Sequence, residues 1–575
     1  MSKAEATVQE LVDMIERGQL RLPEMQRRYV WRAPRVRDLL DSLYRGYPSG
    51  AILVWDTDEE VPLQAFSVAQ GENKFAQTQL LLDGQQRLTS LSAVLRGEPV
   101  TVRGRTRPIE ILFNLEHPDH IRFANEVNED VDDEEADEDS VDDDDSGSDD
   151  DSESTDSNID ELQQRFNEMT FVVATRKLAS LPHWVSVSDV LKSDSDRDFL
   201  RRAGVTDLDD ERAEKYQKRL ARLRSIKKYV YRMDILERSL TYVEVTDIFV
   251  RVNSLGAKLR GSDLALAQIT AKWRGSLELF VAYQNSCAKT GYELDLGTHL
   301  RALIAIATGQ SKFQSVGTLS ASDLQEAWEK TKRAMDFAIS FLKENCGIDS
   351  PTLLSSPSLV IALAHYGLTN SYAIPSSERP LLRRWVLLAN AKGRFTRGSS
   401  ETLLDQDLAA IRRGDTAAAL MERLAIQVGR LEIVPEELKG RNQVSSIFKT
   451  MYLAFKARGA QDWETGLEIS IGHRGHQDKL QFHHIFPKAV LRDRYSKSEI
   501  YDIANLAFIG GRTNRTISAK PPEKYIPEIV ESKGAKNFED QGIPTAPELL
   551  SVDAYEQFLN ERRIAIASTL NEYLK

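Results

Sequence analysis

The feature that most constrains this chain is an acidic segment, residues 126–160, which lies within its first third. These 35 residues contain 20 Asp and Glu and no Lys or Arg. Because the segment has few apolar side chains and repels itself, it cannot bury a core, and we expect it to be extended and disordered. The folded parts of the protein must therefore be built from the chain before and after it.

The same segment masks the charge of the rest of the chain. The net charge is −13 at pH 7, and removing the 20 acidic charges of the segment leaves +7. A mildly basic remainder permits a nucleic-acid partner without requiring one. The segment itself is expected to be a solvated spacer. The alternative is a polyanion that competes with DNA for a basic cleft, which a DNA affinity that rises on its deletion would favour.

The length of 575 residues is too great for a single core, and about three domains are expected. No run of about 18 uncharged apolar residues occurs, so we expect no membrane span. The N-terminus, "MSKAEATVQELVDMIERGQL", predicts an amphipathic helix rather than a signal peptide. Cys287 and Cys346 stand outside any metal-binding spacing and are expected to be reduced and packed in a cytoplasmic protein.

Hydrophobic periodicity predicts a multidomain α+β chain. The first region is mixed α/β, with a helix at 33–46, buried strands "AILVW" (51–55) and "TQLLL" (78–82), and a helix at 85–96. After the acidic segment, 194–236 is helix-rich and "LTYVEV" (240–245) predicts a strand. From about 262 to 460 the pattern is almost all helical. The last 110 residues are mixed again and close with a helix.

Three polar motifs occur in the first half. They are "LPEMQRRYVW" (22–31), "LLDGQQRLTSL" (81–91) and "IFVRVNSLGAKLRGSDL" (248–264). In the second, a strand runs through Asp83-Gly84 into a helix, whose first amides together with Arg87 suit an anion or phosphate. In the third, Asn253 and Gly256 suit a turn, and Ser262 is a candidate helix cap. A plain structural role explains each motif equally well.

Together these motifs resemble the N-terminal domain of GmrSD-type restriction proteins, over roughly residues 5–275 with the acidic segment as an insertion. The chain carries Gln26-Arg27-Arg28-Tyr29-Val30-Trp31, then Asp83-Gly84-Gln85-Gln86-Arg87, then Phe249 through Asn253 and Gly256 to Leu259. The resemblance implies a ParB/sulfiredoxin-like fold that binds and hydrolyses a nucleoside triphosphate, GTP or ATP. The implied nucleotide-binding residues are Gln26, Arg27, Asp83, Gly84, Gln85, Gln86 and Arg87. Tyr29, Trp31, Asn253 and Gly256 are the implied structural or sensor residues.

Near the other end, "QFHHIFPKAV" (481–490) carries two of the nine histidines side by side. An apolar strand holds His483 and His484, a loop leads to Asn505, and Gly510-Gly511 turns the chain into a helix with Asn514. His473 and His476 lie in a polar loop just before and are expected to be bystanders. The alternatives are packed surface histidines or a structural zinc site, although no cysteine lies nearby.

This order of residues resembles the ββα-metal (HNH) nuclease motif of the same GmrSD-type proteins, over about residues 440–570. The resemblance implies that His484 is the general base, that His483 and Asn514 bind a divalent metal, and that Asn505 holds the base in place. Mg²⁺ or Mn²⁺ is expected, and imidazole at 483 extends the choice to Ni²⁺ or Zn²⁺. Lys488, Arg512, Arg515 and Lys520 are candidate contacts to DNA phosphates.

The sequence therefore predicts three domains: a nucleotide-binding sensor (1–275), an all-α middle region (276–440) and a nuclease domain (441–575). The resemblance implies a modification-dependent (type IV-like) endonuclease that cuts double-stranded phage DNA under control of the nucleotide. A non-cutting DNA-binding regulator and an RNase of abortive infection are the alternatives. The sensed modification, the nucleotide and self-association into a homo-oligomer stay open.

Overall fold

The structure, a computed structural model, describes residues 1–71, 78–102, 105–107, 109–118, 166, 168–207, 210–255, 260–473, 475 and 477–575. The predictions for the acidic segment, for Gly256 and for His476 fall outside these residues. The chain forms two compact units, Met1–Leu279 and Phe280–Lys575. The second unit contains both the predicted middle region and the predicted nuclease region.

Unit 1, residues Met1–Leu279, is built on a six-stranded mixed sheet in the order β1-β11-β3-β5-β2-β4. The predicted buried strands are confirmed as β3 and β5, which pair antiparallel at the centre of this sheet. A smaller antiparallel sheet has the order β10-β8-β9, and β6 pairs with β7. The strands described in unit 1 are β1 (Ser2–Thr7), β2 (Leu20–Pro23), β3 (Ile52–Thr57), β4 (Leu63–Gln64), β5 (Thr78–Asp83), β6 (Val100–Val102), β7 (Arg105–Arg107), β8 (Ile111–Asn114), β9 (Phe171–Val173), β10 (Trp184–Ser186) and β11 (Val230–Leu236).

Helices cover the sheets of unit 1 and bury their apolar stripes against them. The helix Ala33–Arg45 buries Val36, Leu40 and Leu43 in the core, and Gln85–Arg96 buries Leu88 and Leu91. The two predicted helices are thus confirmed. The helices described here are Val8–Glu16, Ala33–Arg45, Gln85–Arg96, Arg176–Ser180, Val187–Lys192, Arg197–Arg202, Glu211–Arg224, Tyr242–Leu255 and Gly261–Lys272, and Ser276–Lys289 spans the boundary between the units.

Unit 2, residues Phe280–Lys575, is mostly helical, as predicted. One hydrophobic core runs from Cys287 to Leu574. The strands β12 (Leu480–His484) and β13 (Leu506–Gly510) form a two-stranded antiparallel sheet. The α-helices are Leu296–Thr308, Ala321–Cys346, Ser358–Thr369, Arg379–Ala391, Ser400–Arg412, Ala417–Val428, Ser446–Ala457, Lys488–Leu491, Lys497–Ile500, Gly511–Ile517, Pro522–Lys533, Lys536–Glu539 and Tyr555–Tyr573.

The prediction of a strand at 240–245 is wrong, because the segment opens the helix Tyr242–Leu255. Thr241 and Glu244 form a reciprocal cap: the backbone N–H of Glu244 donates to the Thr241 hydroxyl, and the backbone N–H of Thr241 donates to the Glu244 carboxylate. This capping box fixes a helix start despite the β-forming residues that follow. Tyr242, Val245 and Phe249 then share one buried helix face.

Two further predictions are corrected at element ends. The N-terminal residues form β1, which pairs with β11, before a helix begins at Val8 with the Thr7 side chain as its cap. The stretch 194–236 is helix-rich, as predicted, and closes with β11. Ser262 is not a cap, since the helix begins at Gly261 with Arg260 before it. None of the helices among the described residues is long and apolar enough to cross a membrane.

Candidate active site around the histidine pair

The histidine pair lies on β12, which is joined through β13 to a short helix. In the antiparallel pairing, His483 stands opposite Ala507 and His484 opposite Leu506. β13 ends at Gly510, and the helix Gly511–Ile517, termed the motif helix below, begins at the next residue. The order along the chain is strand, strand, helix. The strand with the two histidines and the helix with Asn514 are confirmed, whereas the residues alone predicted no strand where β13 lies.

His483 is buried, with 4% of its surface exposed, and faces the motif helix. Its Nδ1 is 2.8 Å from the Oδ1 of Asn514. The rings of Trp463 and Tyr525 stand edge-on to the imidazole, with ring centroids 5.6 and 5.9 Å away. Packing against both rings therefore fixes the imidazole where it meets the amide of Asn514.

His484 is half-buried and has different neighbours. The ring of Tyr501 lies edge-on to its imidazole, with centroids 5.3 Å apart. The ammonium of Lys488 lies 4.7 Å from the centroid of the same tyrosine ring. Successive residues of a strand point to opposite faces, so the two imidazoles lie in separate surroundings.

The environment keeps both imidazoles neutral. Burial lowers the pKa of His483 to about 4, although the hydrogen bond with Asn514 acts in the opposite direction. Burial also lowers the pKa of His484 to about 3, and the positive charge of Lys488 adds to this effect, as would a proton on His483. The Nε2 atoms of both rings are buried without a hydrogen-bond partner among the described residues. At pH 7 each ring is in the form that binds a metal or accepts a proton.

Asn505 is fully buried, and its side chain is hydrogen-bonded to the backbone of nearby residues. Its Oδ1 accepts from the N–H of Phe486 at 2.8 Å, and its Nδ2 donates to the carbonyls of Phe486 and Ile500 at 3.1 and 3.0 Å. Its own carbonyl accepts from the N–H of Ile485, the residue after His484, at 2.8 Å. Asn505 thus fixes the backbone that follows the candidate base.

Basic side chains surround the strand and the motif helix. Lys488 is partly exposed beside Tyr501, while Arg512, Arg515 and Lys520 are exposed on or just after the motif helix. Exposed guanidinium and ammonium groups near a buried imidazole pair suit a phosphate backbone.

The candidate ligand atoms at the site suit a divalent ion that has few protein ligands. His483 donates from its Nδ1–H to the Oδ1 of Asn514 at 2.8 Å, so an ion held between these two atoms would replace this proton, with the neutral ring then protonated on Nε2. The 2.8 Å separation is close to the roughly 3 Å between neighbouring ligands of an octahedral ion with bonds of about 2.1 Å. No group of three or more His, Cys, Asp or Glu side chains arranged to hold a metal occurs among the described residues. Two protein donors leave several coordination positions for water and phosphate, as a catalytic ion requires.

In unit 1, the first two polar motifs are hydrogen-bonded to each other. The Gln86 Oε1 accepts from the N–H groups of Val30 and Trp31, at 2.9 and 3.3 Å, and its Nε2 donates to the carbonyl of Arg28 at 3.2 Å. From the first motif, the buried side-chain amide of Gln26 donates to two carbonyls of β5 in the second motif, those of Leu82 and of Leu81, the latter at 3.2 Å. Both side chains therefore build the fold around the candidate nucleotide site.

The side chain of Arg87 is also hydrogen-bonded within the fold of unit 1. Its guanidinium donates to the carbonyl of Ser49, to that of Ala51 at 2.8 Å and to the Asp83 carboxylate at 3.1 Å. Gly84, at φ +101°, turns β5 directly into the helix Gln85–Arg96, whose residue Gln85 is buried. The Asp83 side chain remains 43% exposed at this turn.

Of the remaining motif residues of unit 1, three have described side-chain surroundings and two do not. Arg27 forms an ion pair of 3.2 Å with Asp263, which joins the first and third motifs. The Tyr29 hydroxyl is hydrogen-bonded to that of Ser90 at 2.8 Å, and Trp31 is half-buried against the core. The side chain of Asn253 and all of Gly256 lie outside the part of the chain that the structure describes.

Sequence reasoning missed several residues around the histidine pair. Trp463 and Tyr501 contact the two imidazoles, and Asp462 is hydrogen-bonded to the junction of β13 and the motif helix. The available signal is the tryptophan at 463, directly after Asp462, in the otherwise polar stretch "GAQDWETG" (459–466). That pattern predicts a buried ring but does not say what the two side chains contact.

Comparison with known proteins bears mainly on unit 1. Residues 8–270 match the family model described as the GmrSD restriction endonuclease N-terminal domain. The match supports a relationship to GmrSD-type restriction endonucleases and ends before unit 2 begins. The chain is also 22% identical to an uncharacterised protein of Methanocaldococcus jannaschii, over 98% of this chain and 93% of that protein.

Proposed function

We propose that the protein is a metal-dependent endonuclease of the HNH type that cuts foreign DNA. The observation that carries the proposal is the 2.8 Å contact between His483 Nδ1 and Asn514 Oδ1, made between β12 and the motif helix directly beside His484. The match of residues 8–270 to the GmrSD N-terminal domain supports a role in restriction.

His484 would act as the general base that takes a proton from the attacking water. Its imidazole is neutral at pH 7, since burial and Lys488 disfavour the charged form. A bound phosphodiester brings negative charge, which would offset the effect of Lys488 and raise the pKa of His484. The imidazole would thus become a better proton acceptor once DNA is in place.

His483 and Asn514 would hold the divalent ion, Mg²⁺ or Mn²⁺ first, with Ni²⁺ or Zn²⁺ admitted by the imidazole. When bound, the ion would stabilise negative charge on the phosphate and on the leaving 3′ oxygen. Asn505 would keep the backbone after His484 in place through Ile485 and Phe486.

The DNA backbone would be held by basic side chains near the histidine pair. Lys488 lies beside Tyr501, which in turn contacts His484, and its ammonium would bind a phosphate next to the base. Arg512, Arg515 and Lys520 would bind neighbouring phosphates from their exposed positions.

Unit 1 would bind a nucleoside triphosphate and sense modified DNA, and so gate cutting by unit 2. The phosphates would lie at the turn from β5 to the helix Gln85–Arg96, near Asp83 and Arg87, where helix amides favour anions. Gln26, Arg27, Gly84, Gln85 and Gln86 would shape this site. Glucosylated hydroxymethylcytosine and phosphorothioate DNA are both candidates for the sensed modification.

Cleavage of supercoiled plasmid and of phage DNAs of differing modification, with Mn²⁺ and with or without GTP or ATP, tests the nuclease. We expect cutting by the wild type and a loss of about 10²- to 10⁴-fold in His484→Ala. The matched control His473→Ala, in the loop before β12, should cut normally. Absence of cutting on every substrate would favour a non-cutting regulator, and cutting of RNA alone would favour an RNase.

The nucleotide site needs its own test, because Arg87 also supports the chain at Ser49 and Ala51. Nucleotide binding and hydrolysis should be measured for Arg87→Ala and Arg87→Lys at temperatures where both are folded. Loss of hydrolysis in Arg87→Ala with an intact fold supports the site. Unchanged binding and hydrolysis in both variants would remove Arg87 from it.

A further inference from the structure

Asp462 is a buried carboxylate in unit 2, 3% exposed, with a role not yet assigned. Its Oδ2 accepts from the backbone N–H of Gly510 at 2.7 Å, at the last residue of β13. Its Oδ1 accepts from the hydroxyl of Thr513 at 2.6 Å, in the motif helix directly before Asn514. One carboxylate therefore holds the end of the strand and the start of the helix that carries the candidate metal ligand.

The loop that contains Asp462 is held together by its own hydrogen bonds. The Oδ1 atom also accepts from the N–H and the hydroxyl of Thr465, at 2.8 and 2.7 Å. The N–H of Asp462 donates to the carbonyl of Leu467 at 2.7 Å, and the N–H of Gly466 donates to the carbonyl of Asp462 at 3.0 Å. Hydrogen bonds within its own loop thus fix the Asp462 carboxylate independently of its contacts with Gly510 and Thr513.

The next residue, Trp463, contacts the other half of the candidate metal pair. Its ring is edge-on to His483, with centroids 5.6 Å apart, and stacks on Tyr525 at 6.2 Å with 16° between the planes. The Tyr525 hydroxyl donates to the carbonyl of Ile485 at 3.0 Å. Neighbouring residues of one loop therefore support both His483 and the helix that carries Asn514.

Gly510 is the point of closest approach to this carboxylate. A Cβ placed on Gly510 would lie 3.3 Å from the Oδ2 of Asp462, closer than ordinary van der Waals contact. The φ of Gly510 is −76°, which any residue adopts, so the requirement for glycine comes from the close approach and not from the backbone.

We infer that Asp462 is a positioning residue for the candidate metal pair: its carboxylate sets the angle at which the motif helix leaves β13, and so sets the approach of Asn514 to His483. This inference rests on the proposed nuclease function. Groups that orient metal ligands without touching the metal typically change metal affinity by about 10- to 100-fold when removed.

The test compares Mn²⁺ binding and DNA cleavage in the full chain for Asp462→Asn and a matched control. An amide of the same shape cannot accept at both ends. In one orientation Asp462→Asn loses the bond from the Gly510 N–H; in the other it loses the bond from the Thr465 N–H and can keep the Thr465 and Thr513 hydroxyls only by donating to them. The control is Asp407→Asn, another buried carboxylate of unit 2, which is paired with Arg394 at 2.8 Å. Binding is followed by electron paramagnetic resonance of Mn²⁺, and folding by thermal melting.

We expect Asp462→Asn to bind Mn²⁺ about 10-fold or more weakly and to recover cleavage as Mn²⁺ is raised. Asp407→Asn should melt at a lower temperature with a Kd for Mn²⁺ unchanged within about twofold. If the wild type binds Mn²⁺ and cuts, but Asp462→Asn has the same Mn²⁺ dependence, the positioning role is overturned. If the wild type neither binds Mn²⁺ nor cuts, the proposed function itself fails.

If Asp462→Asn does not fold, two milder variants test the positioning role of Asp462. Thr513→Val removes only the 2.6 Å hydrogen bond to Asp462 and keeps the side-chain shape. Gly510→Ala crowds the carboxylate by a few tenths of an ångström. Both should weaken Mn²⁺ binding in the same direction as Asp462→Asn, by less. Wild-type affinity in both variants would overturn the inference.

Discussion

At the scale of single residues, His483 and His484 show how two neighbouring imidazoles acquire different chemistry. His483 is enclosed by Trp463, Tyr525 and Asn514, whereas His484 meets Tyr501 and the charge of Lys488. Burial makes the cationic form of each ring unfavourable, so neither is protonated at neutral pH. A pair of exposed histidines would instead be partly charged near pH 6.5 and would repel both a metal and each other.

The low pKa of His484 predicts an unusual pH profile for cleavage. A base with the ordinary pKa of about 6.5 would lose about eightfold in activity between about pH 7 and pH 5.5, because most of it would be protonated. His484, with a pKa of about 3 in the free protein, should lose less than about twofold in kcat/KM over that range. Steady-state kinetics at saturating Mn²⁺ measure this, with Mn²⁺ affinity determined at each pH as the control. An eightfold fall at constant metal occupancy would contradict a pKa of about 3 for the base.

Asn505 provides a residue-scale prediction about stability. Asn505→Ala leaves the N–H of Phe486 and the carbonyls of Phe486 and Ile500 without their buried partner. Each unsatisfied buried group costs about 1–3 kcal/mol, so the free energy of unfolding of unit 2 should fall by roughly 3 kcal/mol or more. Urea unfolding measures the loss. Gln557→Ala, at an exposed position of the helix Tyr555–Tyr573, should change stability by no more than about 0.5 kcal/mol.

At the scale of elements, the amide of Gln86 joins the first polar motif to the helix Gln85–Arg96. Gln86→Ala would leave the N–H groups of Val30 and Trp31 and the carbonyl of Arg28 without that partner. We expect unit 1 to lose about 1–3 kcal/mol of stability, with no nucleotide present. The control Gln9→Ala breaks one bond to Asp13 within a helix and should cost only about 0.2–0.5 kcal/mol. Equal, small losses in both variants, measured by urea unfolding, would contradict the structural role of Gln86.

Elements that depend on local pattern were predictable, and those that depend on distant contacts were not. Apolar runs identified β3 and β5, and the pattern from His483 to Asn514 predicted β12 and the motif helix but not β13 between them. The segment 240–245 was predicted wrongly because its β-forming residues follow a capping box whose two side chains outweigh their preference. The role of Asp462 could not be found, because its partners Gly510 and Thr513 lie 48 and 51 residues away along the chain.

At the scale of the whole molecule, the two units differ in how acid should affect them. In unit 2, burial lowers the pKa of His299, His365 and His483 to about 4, and that of His484 to about 3. In unit 1, burial lowers the pKa of His183. Both ring nitrogens of His299 and of His365 are buried without a hydrogen-bond partner among the described residues, so protonation would place an uncompensated charge in the core.

This distribution predicts that unit 2 loses stability first as the pH falls. A histidine with a pKa of 6.5 when unfolded and about 4 when folded binds more protons in the unfolded state between those values. Its contribution to stability is complete above about pH 6.5 and is lost as the pH falls towards about 4, by about 3 kcal/mol for a fully buried ring such as His299. Hydrogen exchange at about pH 6.5, 5.5 and 4.5, after correction for intrinsic rates, should show unit 2 peptides opening before those of unit 1. His299→Gln should flatten the pH dependence of unit 2, and adding His365→Gln should flatten it further. An unchanged slope in the double variant would mean that these rings do not carry the acid sensitivity.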